Sequence, residues 1–217
     1  MPSGMLIGAI IGGGIGLAIM LKQQRRRKNL LAVLRDQGTA AARTALDLVL
    51  PRRSAVPLGK LLDQRERMAA LAIIGDHRAL AAEVGGHSGK LTCVVQTDAI
   101  GWLALAIRRP PGQDASEPAR QLAALADRVD QEGGITLKLV KRKTRMLARL
   151  AAAIAGEQLC ADDFNEIKAQ ATNESPLVKL LLFQGMALAV EAAGGNGESI
   201  RAMVREQTAA FDPDPPA

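Results

Sequence analysis

The residues best suited to nucleophilic or metal chemistry are few. The chain has two histidines, His77 and His87, and two cysteines, Cys93 and Cys160, with Asp76 directly before the first histidine. A Cys–His pair or a zinc site can be drawn from them, but structural zinc sites need four ligands at characteristic spacings, and the chain has no CxxC or HxxxH pattern. Cys93 lies in the apolar run LTCVVQ, where a thiol is ordinarily inert. We therefore predict no catalytic residue, metal ligand or cofactor.

A second group of residues could recognise an anion. Six basic residues fall within twelve positions, with no acidic residue among them. Such a stripe can hold phosphates of nucleic acid or lipid, or pair with acidic residues of a partner or of the same chain. A solvated face balanced by the chain's own acids is the simpler interpretation, and contact with an anionic partner is the functional one. The residues are Lys138, Lys141, Arg142, Lys143, Arg145 and Arg149.

The amino terminus carries an apolar segment followed by a basic cluster. Residues 5–21 are uncharged and span roughly 25 Å as a helix, close to the thickness of a hydrocarbon core. A cleaved signal peptide fits less well, because no positive charge precedes the segment and no small-residue cleavage site follows it. We therefore predict one transmembrane helix, with residues 1–4 outside and the remainder in the cytoplasm. The basic residues at the membrane surface, which set this topology, are Lys22, Arg25, Arg26, Arg27 and Lys28.

Three glycines in this segment recur every four residues. Gly8, Gly12 and Gly16 fall near one face of the predicted helix, where the missing side chains allow a second helix to approach closely. They predict packing against another copy or a partner's helix. The alternative is that glycine is simply frequent in transmembrane helices.

The composition limits the classes of partner. The chain has 217 residues, with 28 Lys and Arg against 22 Asp and Glu, and the positive excess lies in residues 22–67. One Trp, three Phe and no Tyr leave little material for stacking unpaired bases. The bilayer and a protein partner or second copy are therefore the predicted partners, and nucleic acid is disfavoured.

The hydrophobic periodicity predicts a helix-dominated α+β fold. Two short apolar runs, 90–97 and 101–108, suggest an antiparallel hairpin, and residues 135–140 suggest a third strand. Residues 176–193 are apolar on nearly every side, which predicts a buried central helix. The other helices are predicted at 58–74, 119–131, 144–155, 161–171 and 198–211. The predicted units are an outer terminus (1–4), a transmembrane helix (5–21), a basic helical stalk (22–57), an α+β domain (58–155), C-terminal helices (156–211) and a disordered tail (212–217).

These features predict a single-pass protein of the inner membrane with a cytoplasmic domain. Its expected role is non-catalytic, as an adaptor or assembly component of a membrane complex. One alternative is a membrane-tethered enzyme with a polar site around His77 and His87, joined by Lys90 and Asp98. A second is a tethered binder of nucleic acid or anionic lipid through the basic stretches.

Overall fold

The computed structural model describes residues 30–50, 57–85, 91–109, 112–131 and 138–207. These parts of the chain form nine helices and contain no strand. The first helix, α1, covers residues 30–49. The others are α2 (Pro57–Ile74), α3 (His77–Glu83), α4 (Leu91–Ile107), α5 (Ser116–Gln131), α6 (Lys138–Ile154), α7 (Ala161–Thr172), α8 (Pro176–Ala192) and α9 (Glu198–Gln207).

The predicted α+β fold is wrong, because the predicted hairpin is a single helix. Helix α4 covers both apolar runs, and Asp98, placed in the hairpin turn by the sequence, lies buried inside the helix. Packing of α4 against α2, α5, α6 and α8 buries it on nearly all sides. A helix of that kind shows no polar stripe, so its sequence has no helical period to read. The third predicted strand fails as well, since residues 138–140 are the first turn of α6.

Helix α8 lies at the centre of the fold, as the sequence predicted. It is buried from Leu177 to Ala189 apart from Lys179, and it packs against α2, α4, α6, α7 and α9. Gly185 allows the closest approach: a Cβ built there would lie 3.1 Å from Ile107 Cδ1 on α4 and 3.2 Å from Leu150 Cδ2 on α6. The three helices α4, α6 and α8 therefore share one tightly packed seam.

Helix α1 falls within the segment predicted as a stalk. Its leucines Leu30, Leu34 and Leu46, followed by Leu50, are buried in the same core as α4 and α8. Its carboxyl end is fixed by Arg67 of α2, which donates to the Leu50 carbonyl at 2.9 Å. The described part of this segment thus packs onto the helical bundle.

The prediction of a single-pass membrane protein is not supported and is corrected here. No helix among the described residues combines the length and apolar character that a bilayer crossing requires. The most apolar ones, α4 and α8, have 17 residues each and are covered by other helices. Their hydrophobicity therefore serves the protein core, and the described residues do not support the predicted membrane localisation. Four predictions concern residues outside the described part of the chain. They are those for residues 5–21, for Gly8, Gly12 and Gly16, for the basic cluster 22–28 and for the tail 212–217.

Candidate functional site

The candidate site is built on helix α6, which separates apolar from basic residues more sharply than its neighbours do. Leu147, Leu150 and Ala151 face the core, while Arg142, Arg145 and Arg149 recur at three- and four-residue spacing along an exposed face. Helices α5 and α7 flank α6. The basic residues therefore lie on a surface with walls on two sides.

Acidic residues from both flanking helices pair with the arginines of α6. Arg142 Nε donates to Glu166 Oε1 of α7 at 2.5 Å, and Arg145 Nε donates to Asp130 Oδ2 of α5 at 2.6 Å. The Arg149 guanidinium pairs with Asp163 of α7. Charge balance within the chain, the simpler of the two interpretations of the stripe, therefore accounts for much of it. Contact with an anionic partner stays a prediction.

Two lysines of the stripe have no carboxylate partner among the described residues. Lys141 Nζ donates to the main-chain oxygen of Asp130 at 2.9 Å, and Lys138 is the first residue of α6. Together with the three arginines they line a groove of about 320 Å³ that also contains Met146 and Glu166. Five of its seven lining residues are cationic. This arrangement can bind an anion.

The remaining member of the stripe, Lys143, belongs to a buried charge cluster. Its amine and the Arg65 guanidinium of α2 both pair with Glu174, whose side chain is 5% exposed and also accepts a hydrogen bond from Gln170 Nε2 at 2.8 Å. Burial, with repulsion from Arg65 as a second cause, lowers the pKa of Lys143 from 10.5 to about 8. Through Glu174 this cluster connects α2 and α6 to the loop between α7 and α8. It also lines a cavity of about 220 Å³ between α6 and α7.

A larger groove lies on the other side of Arg149, between α5 and the second half of α6. Its volume is about 530 Å³. Five alanines form much of its lining, two from α5, two from α6 and one from the turn directly after α6. Arg120, Arg149, Glu157 and Asp163 lie among its polar residues. The alanines are Ala119, Ala123, Ala148, Ala152 and Ala155. Side chains this small leave the two helix backbones accessible, so the groove can accept another helix.

Of the histidine and cysteine candidates, the structure describes the side chains of His77 and Cys160, which lie at the starts of two different helices. His77 is the first residue of α3, next to Asp76, whose carboxylate accepts from the Ala79 N–H at 3.2 Å and pairs with Arg43 at 2.9 Å. Asp76 thus acts as a helix cap. Cys160 caps α7 in the same way, accepting from the Asp163 N–H at 3.4 Å.

His87 and Lys90 lie outside the described residues, so the enzyme alternative built on His77 and His87 stays untested. Within the part of the chain that the structure describes, no group of three His, Cys, Asp or Glu residues is placed to hold a metal ion.

Sequence reasoning missed two parts of this region. The alanine groove carried no chemical signal, although Ala119 and Ala123, like Ala148 and Ala152, are four residues apart and so share a helix face. The cluster of Arg65 and Glu174 was missed because its members are distant in sequence. The one signal for it in the sequence was the polar run DQRER, which directly precedes the apolar second half of α2.

Comparison of the chain with protein-family models, with curated proteins and with solved structures gives no match.

Proposed function

We propose that this chain is a non-catalytic adaptor that binds a helix of a partner protein in the groove between α5 and α6. The observation that carries the proposal is the alanine lining of a groove of about 530 Å³ between the two helices. Helices in contact are separated by about 8–10 Å, and small side chains permit the shortest separations. A groove with alanine on both walls is therefore suited to a helix.

The groove sets the size of the occupant. The wall formed by α6 and the turn directly after it extends roughly 10 Å from Ala148 to Ala155, or about two helical turns. A partner segment of this length presents residues at i, i+3, i+4 and i+7 to the groove, which is the usual pattern of helix-in-groove recognition. Small or medium apolar residues at these positions would fill the space above the alanines.

Charged residues on the rim supply orientation. Arg120 forms an exposed ion pair with Glu117, and Arg149 pairs with Asp163. Glu157 adds an exposed carboxylate near the end of α6. The rim carries both positive and negative charges, so it favours a partner helix whose own flanking residues place the opposite charge against each of them. Such rim charges contribute more to specificity than to affinity.

Site-specific crosslinking tests this proposal. A photoreactive amino acid is introduced at Ala123 or Ala155, which are exposed in the groove, and at Ala82, which is exposed on α3 and serves as the control. We expect crosslinks from both groove positions to one helical segment of a second protein, identified by mass spectrometry, and none to that segment from Ala82. Ala152→Leu, which fills the groove, should abolish these crosslinks, while Ala82→Leu should not.

Three results would contradict the adaptor role in this groove. The first is crosslinking only to another copy of this chain, the second is equal capture of the same segment from Ala82, and the third is persistence of the groove crosslinks in Ala152→Leu.

A further inference from the structure

We propose that the basic groove along the first half of α6 binds a small anion carrying several phosphate groups. This site shares Arg149 with the alanine groove, but the proposal does not depend on the proposed adaptor role. It is formed by Lys138, Lys141, Arg142 and Arg145, with Arg149 at its far end.

The charge balance of the groove leaves an excess of positive charge at one place. The three arginines are matched by Glu166, Asp130 and Asp163, whereas Lys141 bonds to a main-chain carbonyl oxygen and to no carboxylate among the described residues. The excess therefore belongs to Lys138 and Lys141, one turn apart on α6. A multivalent anion bound there would neutralise it.

The arginines add directional donors to this charge. A guanidinium group has five N–H donors, and Arg142 and Arg145 each use Nε for the carboxylate pairs described above. Donors on the terminal nitrogens can therefore serve an oxyanion without breaking either pair. Arginine in this arrangement binds phosphate oxygens in bidentate fashion. The Arg142 side chain is 74% exposed, which leaves it accessible to a ligand.

The position of the lysines also runs against the local electrostatics of the helix. A helix amino terminus carries a partial positive charge and favours acidic residues. Helices α5, α7 and α9 follow this rule with acidic residues in their first turns. Helix α6, like α2, α3, α4 and α8, has no acid there, and it begins with Lys138. The helix dipole thus adds to the field of the basic groove instead of opposing it. A bound anion would offset both contributions.

The lining distinguishes a phosphate-rich anion from a nucleotide. Among the described residues, Met146 is the only apolar one that lines the groove, and none of those that line it is aromatic and able to stack on a base. The volume of about 320 Å³ is at the low end for small-molecule sites. Ligand and site would therefore interact mainly through charge and hydrogen bonds.

Titration calorimetry of the full 217-residue chain with tripolyphosphate tests the site, with inorganic phosphate as the comparison that carries a single phosphate group. We expect tripolyphosphate to bind more tightly than phosphate and to weaken as salt concentration rises. The double variant Lys138→Gln and Lys141→Gln should weaken binding at least ~10-fold, since hydrogen bonds to charged groups are among the strongest. The control, Arg78→Gln with Lys168→Gln, removes the same charge from exposed positions outside the groove and should change affinity less than ~2-fold.

The proposal is overturned by any of three results. These are absence of tripolyphosphate binding by the unaltered chain, an equal loss in the control variant, and tighter binding of a single-stranded RNA that depends on the same two lysines. The last result would assign the groove to a nucleic-acid backbone. Thermal unfolding of each variant verifies that it is folded, which these exposed positions should permit.

Discussion

Arg67 Nε donates hydrogen bonds to both carboxylate oxygens of Glu83, at 2.8 and 3.1 Å, from a side chain that is 3% exposed. The same guanidinium donates through Nη1 to the Leu50 carbonyl and pairs with Asp47 at 2.7 Å. One buried charge on α2 thus fixes both the end of α1 and the end of α3. Loss of such a residue removes the donors to the Leu50 carbonyl and the half-buried Glu83 carboxylate, which costs more than the pair contributes when intact.

Replacement of Arg67 by Met should therefore lower the free energy of unfolding by about 3–5 kcal/mol. Urea denaturation provides the measurement. The matched control is Arg35→Met, because Arg35 pairs with Asp36 at the surface and the loss there should stay under about 1 kcal/mol. Equal losses in the two variants would show that burial of the Arg67 network has no special effect.

Gly101 gives a prediction about packing. A Cβ at this position would lie 2.8 Å from Met68 Sδ and 2.9 Å from Val84 Cγ2, so α4 could not keep its distance from α2 and from the end of α3. Gly101→Ala should lower the free energy of unfolding by about 1–3 kcal/mol, as overpacking generally does. The loss should be smaller in a Val84→Ala background, where the clash is partly relieved. Identical losses in both backgrounds would refute this cause.

Lys143 predicts a pH dependence. Its pKa is lowered to about 8 in the folded chain, mainly by burial, while the unfolded value is 10.5. Between these values the unfolded chain holds a proton that the folded chain has released, so the free energy of unfolding rises with pH through this interval. Glu174 keeps Arg65 as its partner when Lys143 is neutral.

The test compares the unaltered chain with Lys143→Met by urea denaturation between about pH 7 and pH 10.5. The stability of the unaltered chain relative to the variant should increase by about 1–3 kcal/mol across the upper part of this range. A difference that is constant with pH would exclude titration of Lys143 as the source.

Lys138 predicts a conflict between stability and binding. Lys138→Glu places an acid at the amino terminus of α6 and should raise the free energy of unfolding by about 0.3–1 kcal/mol. The same variant should lose tripolyphosphate binding. Lys168→Glu in the middle of α7 is the control and should gain no such stability. Thermal unfolding distinguishes the two, and a destabilised Lys138→Glu would contradict the electrostatic argument.

Helices with one polar and one apolar face were predicted from the sequence. The prediction failed for α4, which is apolar on nearly all sides. Helices α5 and α7 were predicted close to their observed bounds, because their polar faces are visible in sequence. Helix α8 was recognised as central from its apolar character and its length of 17 residues. Helix α4 was divided into two strands, because its β-branched residues and its Gly101 resemble a hairpin when no helical period is present.

The candidate site was predictable only in its charges. The six basic residues of α6 lie close together in sequence, so the sequence identified each of them. Their partners Asp130, Glu166 and Asp163 come from two other helices, and no local pattern connects them to α6. The alanine groove was unpredictable for a different reason, since a groove is a property of the spacing between helices and alanine has no chemistry of its own.

Arg149 belongs to both grooves: it lines the basic one and the alanine one, and its guanidinium is held by Asp163 between them. Two ligands that each draw on this one side chain cannot be thermodynamically independent. If a bound anion draws the Arg149 guanidinium away from Asp163, that carboxylate loses its cationic partner. The rim of the alanine groove then becomes more negative, which changes its affinity for a partner helix. Linkage requires the effect to be mutual: whatever factor the anion imposes on the affinity for the helix, the helix imposes on the affinity for the anion.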